Sequence, residues 1–331
     1  MVFAYLLLMA GTPQPACARF GPAQKVVELP SGNLPESSGL ALSSTHEGVL
    51  WTHNDSGGSP SFFAYTLSGD ALGRVDLTGA HADDWEAMAI GPCGDATCLV
   101  VGDIGSTRPE PSERVLWRIE EPAPPGAGEV LEVTAQRLTL TFEDAPSDAE
   151  GLAVDPRSGD ILLTQKALDT RFQVFRIPAA AWAIPSARVT PELLWVVQLG
   201  GGLEASLVTQ ADIDPSGSEL FVGTYGAGFR LPIERDGDGL ISSFGEPGPG
   251  PIYGEGQCEA GAYAPDGLSL WFTCEAERTP LARADCAEPN EPSGPKPNEP
   301  SSCGCSGHAP AGWWVLLFAL MYPRRSDRSR P

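Results

Sequence analysis

Short apolar runs come in pairs along this chain, each pair joined by a turn of Gly, Pro, Asp or Ser. The paired phrase occurs five times: SSGLALSSTHEGVLWTHND, WEAMAIGPCGDATCLVVGD, AEGLAVDPRSGDILLTQK, VTQADIDPSGSELFVGTY and CEAGAYAPDGLSLWFTCE. Aligned on the turn, the first run begins at Ser38, Glu86, Glu150, Thr209 and Glu259, in steps of 48, 64, 59 and 50 residues. The second run ends on Asp55, Asp103, Lys166, Tyr225 and Glu275. Both runs are dense in Ala, Val, Ile and Leu with little alternation, which marks strands covered on both faces. The turns DPRSG, DPSGS and APDGL carry the residues that tight hairpins require. Multi-stranded units repeating at about 40–50 residues predict an all-β fold, a β-propeller.

Each unit parses into four strands, A to D. In the third unit these are Glu150–Asp155, Asp160–Gln165, Phe172–Ile177 and a stretch within Ala187–Leu199. The C strands FFAYTL, RVLWRI, FQVFRI and GFRLPI alternate large apolar residues with polar ones. The second unit is expected to place its D strand within 133–143. In the fifth, residues 281–286 serve as strand C before the apolar pattern stops. The segment KVVELP at 25–30 is therefore expected to complete the last blade and remove an open sheet edge. Five blades result. Six are the alternative, since the stretch 178–206 has room for another.

Of the 331 residues, 43 are acidic and 21 basic, for a net charge of −22. Such a field repels nucleic-acid phosphates and excludes nucleic acid as a partner class. Both ends read as processing signals. A short apolar run, Val2 to Ala10, precedes the small-x-small phrase Ala16-Cys17-Ala18, which predicts a signal peptide over 1–18. The propeller domain is then expected over 19–286, followed by a Pro/Ser/Asn-rich linker over 287–302. The tail, 303–331, contains Cys303-Gly304-Cys305, an apolar stretch from Ala309 to Tyr322, and four arginines at Arg324, Arg325, Arg328 and Arg330. This order resembles the MYXO-CTERM sorting tail of myxobacterial surface proteins. The resemblance implies a membrane contact through the tail, its later removal by a dedicated enzyme, and display at the cell surface or outer membrane. An ordinary C-terminal membrane anchor is the alternative.

Cysteine placement agrees with an oxidising compartment. Cys93 and Cys98 bracket the turn GDAT, and Cys258 and Cys274 sit eight residues either side of Asp266. Mirrored positions across hairpins suit disulfides, and zinc is the weaker reading because no Cys-x-x-Cys with His partners occurs. Cys286 is left to pair with Cys303 or Cys305, or to stay free.

The repeat register carries the candidate chemistry. In a propeller the A strands line the central channel, so Glu86, Glu150 and Glu259 should form one ring at its mouth. Asp55, Asp103 and Glu275 should form a second ring, with Lys166 and Tyr225 in its other two slots. Glu36, Asp84 and Asp148 lie two residues before the first ring. Carboxylates converging on one axis repel unless cations or protons neutralise them, and hard oxygen ligands favour Ca²⁺ or Mg²⁺. Inter-blade hydrogen bonding is the competing, purely structural role. Trp85 is expected to pack between blades. His53, Asp55 and Ser56 cannot form a triad from one strand, because adjacent side chains face opposite ways. His81 with Asp83 and Asp84 is expected on a surface connection, and Asp236-Gly237-Asp238-Gly239 in an ordinary turn, lacking the distal Glu of a calcium loop.

The phrases PESSGLALS, LWTHNDSG, DWEAMAI, VVGDIGS, EGLAVD and TQADIDPSG resemble those of bacterial extracytoplasmic propellers with an Asp-Trp-Glu phrase, distantly similar to phytase-like and esterase-like propellers. The similarity covers roughly 30–285. It implies the fold strongly and the activity weakly, since one fold hosts many functions. Where that family commonly reads GDIGDN this chain reads GDIGST, with Ser106 and Thr107 in place of the Asp and Asn. The expected function is an exported binding or scaffold module, with a divalent cation at an acidic mouth that meets a small molecule or a protein. The alternative is a metal-assisted phosphoester or ester hydrolase, with Glu150 as base and Lys166 stabilising negative charge.

Overall fold

The computed structural model describes residues 14–30, 34–105, 114–142, 148–166, 171–184, 186–199 and 207–290. Five sheets of four or five strands make up the described chain, one for each predicted repeat, as a five-bladed β-propeller. Among the described residues the sole helical element is a short 3₁₀ turn, Ala179–Ala183. The ring has five blades and not six: Glu192–Gln198 is the D strand of blade 3, and among the described residues no extra sheet lies between it and blade 4.

The inner strands A run Ser37–Leu42, Trp85–Cys93, Ala149–Val154, Val208–Ile213 and Ala260–Tyr263. Each pairs antiparallel with its B strand across the predicted turn. These strands are apolar on both faces because each face meets another blade. The core accordingly lies in the wedges between blades rather than on the axis. Trp51 and Phe62 of blade 1 pack with Trp85, Val101 and Trp117 of blade 2. Leu162 and Val174 of blade 3 meet Ala211 and Val222 of blade 4. Leu40 and Leu50 meet Ala260 and Trp271 across the seam of blades 5 and 1. Fully burying one such side chain contributes about 1.5–3 kcal/mol, so each wedge strongly favours the closed ring. Trp85 packs between blades as expected: its ring stands edge-on to His53 at 5.3 Å, and its indole N–H bonds to the His81 carbonyl at 3.0 Å.

The outer strands differ from expectation in one respect. The segment assigned to a single D strand within 133–143 splits. Val130–Thr134 crosses to blade 1 and pairs in parallel with Ala71–Thr78, while Gln136–Leu140 is the D strand of blade 2. Arg188–Val189 of the third unit likewise pairs in parallel with Gln136–Leu140. Blades 1 and 2 are thus each completed by a strand from the following unit.

The last blade closes as predicted, and further. Its third strand, Pro280–Pro289, pairs with Gln24–Glu28 and with Cys17–Phe20. Cys93–Cys98 and Cys258–Cys274 are disulfides, as expected. Cys286 is not free and does not use the tail cysteines; it bonds Cys17 across that closing pair of strands. Arg230 of blade 4 adds to the closure: it donates to the Cys17 and Ala18 carbonyls and to Glu219. The boundary expected after Ala18 therefore falls inside a blade strand, and a domain starting at 19 lacks Cys17. At the other end the last strand passes the expected limit of 286 by three residues. Residues 291–331, with Cys303, Cys305 and most of the linker, lie outside the described residues.

The two kinds of disulfide should differ in worth, because a cross-link removes more unfolded-state freedom the longer its loop. Cys17–Cys286 spans 269 residues and Cys93–Cys98 only 5. We expect Cys17→Ser with Cys286→Ser to cost about 3 kcal/mol more than Cys93→Ser with Cys98→Ser in denaturant unfolding. Equal losses would contradict this account of the seam.

Candidate metal centre at the acidic mouth

A β-bulge opens strand A in four blades. The pairing skips one residue between Ser37 and Gly39, Trp85 and Ala87, Ala149 and Gly151, and Val208 and Gln210. The skipped residues are Ser38, Glu86, Glu150 and Thr209, the repeat positions read from the sequence; Glu259 immediately precedes strand A of blade 5. A bulge frees its residue from the ladder and re-aims the side chain. It turns Glu86 and Glu150, both buried, toward a cleft of approximately 290 Å³.

Seven carboxyl groups line that cleft: Asp55, Asp84, Glu86, Asp148, Glu150, Glu259 and Glu275. Lys166, Tyr225 and Gln257 complete the lining. Three sets of carboxylates each bring an oxygen within 4.8 Å of the others. They are Asp55/Asp84/Glu86, Asp55/Glu259/Glu275 and Glu86/Asp148/Glu150, joined through the shared Asp55 and Glu86. A Cβ on Gly105 would stand 2.0 Å from a Glu86 oxygen and 2.4 Å from one of Asp84, so glycine there is what lets the two carboxylates lie flat on the backbone.

Among the described residues few cations offset this charge. Lys166 Nζ donates to Glu150 at 2.9 Å and to the Tyr225 hydroxyl at 3.3 Å, and Tyr225 donates in turn to Glu259. Arg114, buried nearby, feels Asp148, Asp84 and Glu86. The carboxyl groups respond by holding protons. Burial first, then neighbouring carboxylates, raises Asp55 to about 6 and Glu275 to about 7. Glu150 rises to about 8, burial outweighing the ammonium beside it, and Glu86 is pushed up further still.

Five of the six carboxylates predicted as ligands, and both catalytic candidates, thus meet in one cleft. Asp103 does not. Its carboxylate accepts the backbone N–H of Asp84 at 2.7 Å and meets His81 Nδ1 at 3.0 Å. It belongs to a separate His81/Asp83/Asp103 group and braces the loop that delivers Asp84. In its place the cleft gains Asp84, Asp148 and Gln257. All three stand two residues before the repeat glutamates, a signal present in the sequence as DDWE, SDAE and QCE. His53 is buried with its Nδ1 against the Asn54 carbonyl, and burial depresses its basicity, so it joins no triad. Asp236 accepts the N–H groups of Asp238 and Leu240, an ordinary turn. Residues 106–107, where the GDIGST phrase departs from the common one, lie outside the described residues.

No family model matches the chain, and no curated protein does. Among solved structures, the chain is similar in shape to the PQQ-bound aldose sugar dehydrogenase of Streptomyces coelicolor, at 12% identity and a TM-score of 0.45. That match covers 82% of this chain and 100% of the other. The Cps50 (Swd1) β-propeller domain of Myceliophteria thermophila follows at 10% identity and a TM-score of 0.43, covering 79% and 99%. At these values neither bears on function.

Raised carboxyl pKa values have a definite consequence for stability. The folded state holds protons that the unfolded chain releases near pH 4, so stability is lost as pH rises through the folded values. Without divalent cations, the melting temperature should fall between about pH 5 and pH 8, the window set by Asp55, Glu275 and Glu150. Glu275→Gln should flatten that fall by removing one of the carboxyl groups that ionises within it. A melting temperature that is flat or rises over this window in the chelated protein would refute the arrangement.

Proposed function

We propose that the protein is an exported binding module whose acidic mouth holds a divalent cation, Ca²⁺ or Mg²⁺. The observation that carries this is the set of three overlapping carboxylate triads on one cleft, where among the described residues Lys166 and Arg114 stand against seven carboxyl groups. Ca²⁺ takes about 6–8 oxygens, which suits several carboxylates on a broad ring; Mg²⁺ keeps waters and uses fewer. Coordination positions left open toward solvent would then receive an oxygen-bearing group of a small molecule or protein. Three disulfides support a compartment outside the cytoplasm. Display at the cell surface rests on the tail sequence, 303–331.

Calorimetric titration of the chelated protein with Ca²⁺ and Mg²⁺ tests the reading. Binding should release protons and raise the melting temperature, adding about 2.7 kcal/mol at a free cation concentration one hundred times Kd. Glu86→Gln or Glu150→Gln should weaken it at least tenfold. No heat and no thermal shift with either ion removes the cation from the proposal.

Metal-assisted hydrolysis is the second reading, favoured by the Lys166 ammonium and Tyr225 hydroxyl beside the carboxylates. Its difficulty is that Lys166 is bonded to Glu150, the intended base. Turnover of p-nitrophenyl phosphate or acetate that depends on the cation and disappears in Glu150→Gln would promote it. Absence of turnover leaves the binding module.

A further inference from the structure

The far end of the channel is chemically the opposite of the acidic mouth. There Leu42, Val154, Ile213 and Tyr263, which end four of the A strands, and Ile90 of the longer blade 2 strand converge on a cavity of approximately 300 Å³. Two residues further on, four blades place a proline on the rim and blade 1 places Ser44. The walls are largely apolar, and the volume is at the small end of the ~300–1,000 Å³ range of ligand pockets.

One carboxylate breaks this surface. The slot just before Leu42, Ile90, Val154 and Tyr263 is alanine (Ala41, Ala89, Ala153 and Ala262), and before Ile213 of blade 4 it is Asp212. Asp212 is partly exposed and lines the cavity. Its Oδ2 accepts the Tyr263 N–H of blade 5 at 2.8 Å, and Oδ1 accepts its neighbour Ile213 N–H at 2.9 Å. Those bonds fix the carboxylate and leave each oxygen with a further lone pair. Among the described residues no lysine, arginine or histidine pairs with it. An alanine at this slot satisfies the fold in every other blade, so packing alone does not call for an acid here.

We propose that this mouth binds a small apolar molecule bearing one protonated amine, its ammonium on Asp212 and its hydrocarbon part against the ring of A-strand ends. The chemistry follows from the lining: the wall rewards apolar area, and a lone fixed carboxylate in low-dielectric surroundings selects a cationic donor over a neutral one. Burial, with Asp214 nearby, raises the acid to about 7, as expected of a carboxylate that lacks a cation.

The probe is 2-phenylethylamine, compared with its neutral counterpart 2-phenylethanol, in titrations of the whole protein at physiological salt and saturating Mg²⁺. Mg²⁺ occupies or screens the acidic mouth, so binding that survives it belongs to this end. We expect the amine to bind at least about tenfold more tightly than the alcohol. Asp212→Asn, which keeps an acceptor for the Tyr263 N–H, should erase that preference. Ser44→Trp, an exposed rim change that leaves Asp212 untouched, should block both probes and serves if Asp212→Asn does not fold. Equal affinity for amine and alcohol, an unchanged preference in Asp212→Asn, unimpaired binding in Ser44→Trp, or no binding of either probe would overturn the proposal.

Discussion

A ring of blades holds together only if its first and last members are joined as firmly as any other pair. A ring split at the seam would expose the side chains that pack between blades 5 and 1, Leu40 and Leu50 against Ala260 and Trp271. The seam here is made by the N-terminal strands lying along Pro280–Pro289, by the Cys17–Cys286 bond and by Arg230 reaching from the neighbouring blade to the Cys17 and Ala18 carbonyls. Hydrogen bonds, a covalent link and a buried guanidinium thus reinforce one another at the single place where the chain is discontinuous.

That closed ring is also what makes the acidic mouth costly. Bulges at equivalent points of two inner strands turn Glu86 and Glu150 into one cleft, where carboxylates of other blades meet them. Protons, Lys166 and Arg114 relieve part of the repulsion. The two ends of the channel are consequently unlike: one crowded with like charges, the other apolar with a single acid. They arise from the same strands, read at their starts and at their ends.

Much of this was legible in the chain itself. Five hairpins, their inner position and two of the three disulfides among the described residues followed from the spacing of apolar runs and turns. Glu86 and Glu150 followed from register alone, since a bulge repeated at the same point preserves the alignment, and Glu259 holds the same slot just before its strand. Asp103 did not follow, because its strand-end position matches that of Asp55 while its carboxylate is recruited by the Asp83–Asp84 backbone. Cys17 was hidden by its neighbours, since Ala16 and Ala18 make a cleavage-like phrase around a residue that pairs in the last blade. The parallel strand 130–134 was invisible for another reason. A continuous β-prone stretch carries no mark of which residue leaves one sheet and joins the next.

The exchange of outer strands limits how such a protein can have grown. Val130–Thr134 belongs to the second repeat by sequence and to the first blade by hydrogen bonding, and Arg188–Val189 stands in the same relation to the third and second. Deleting or duplicating one repeat would therefore strip an edge from a neighbour or leave a strand with no sheet to join. Gain or loss of blades is confined to boundaries where no segment is lent across, which ties the number of blades, and with it the width of the central channel, to the ancestry of those loops.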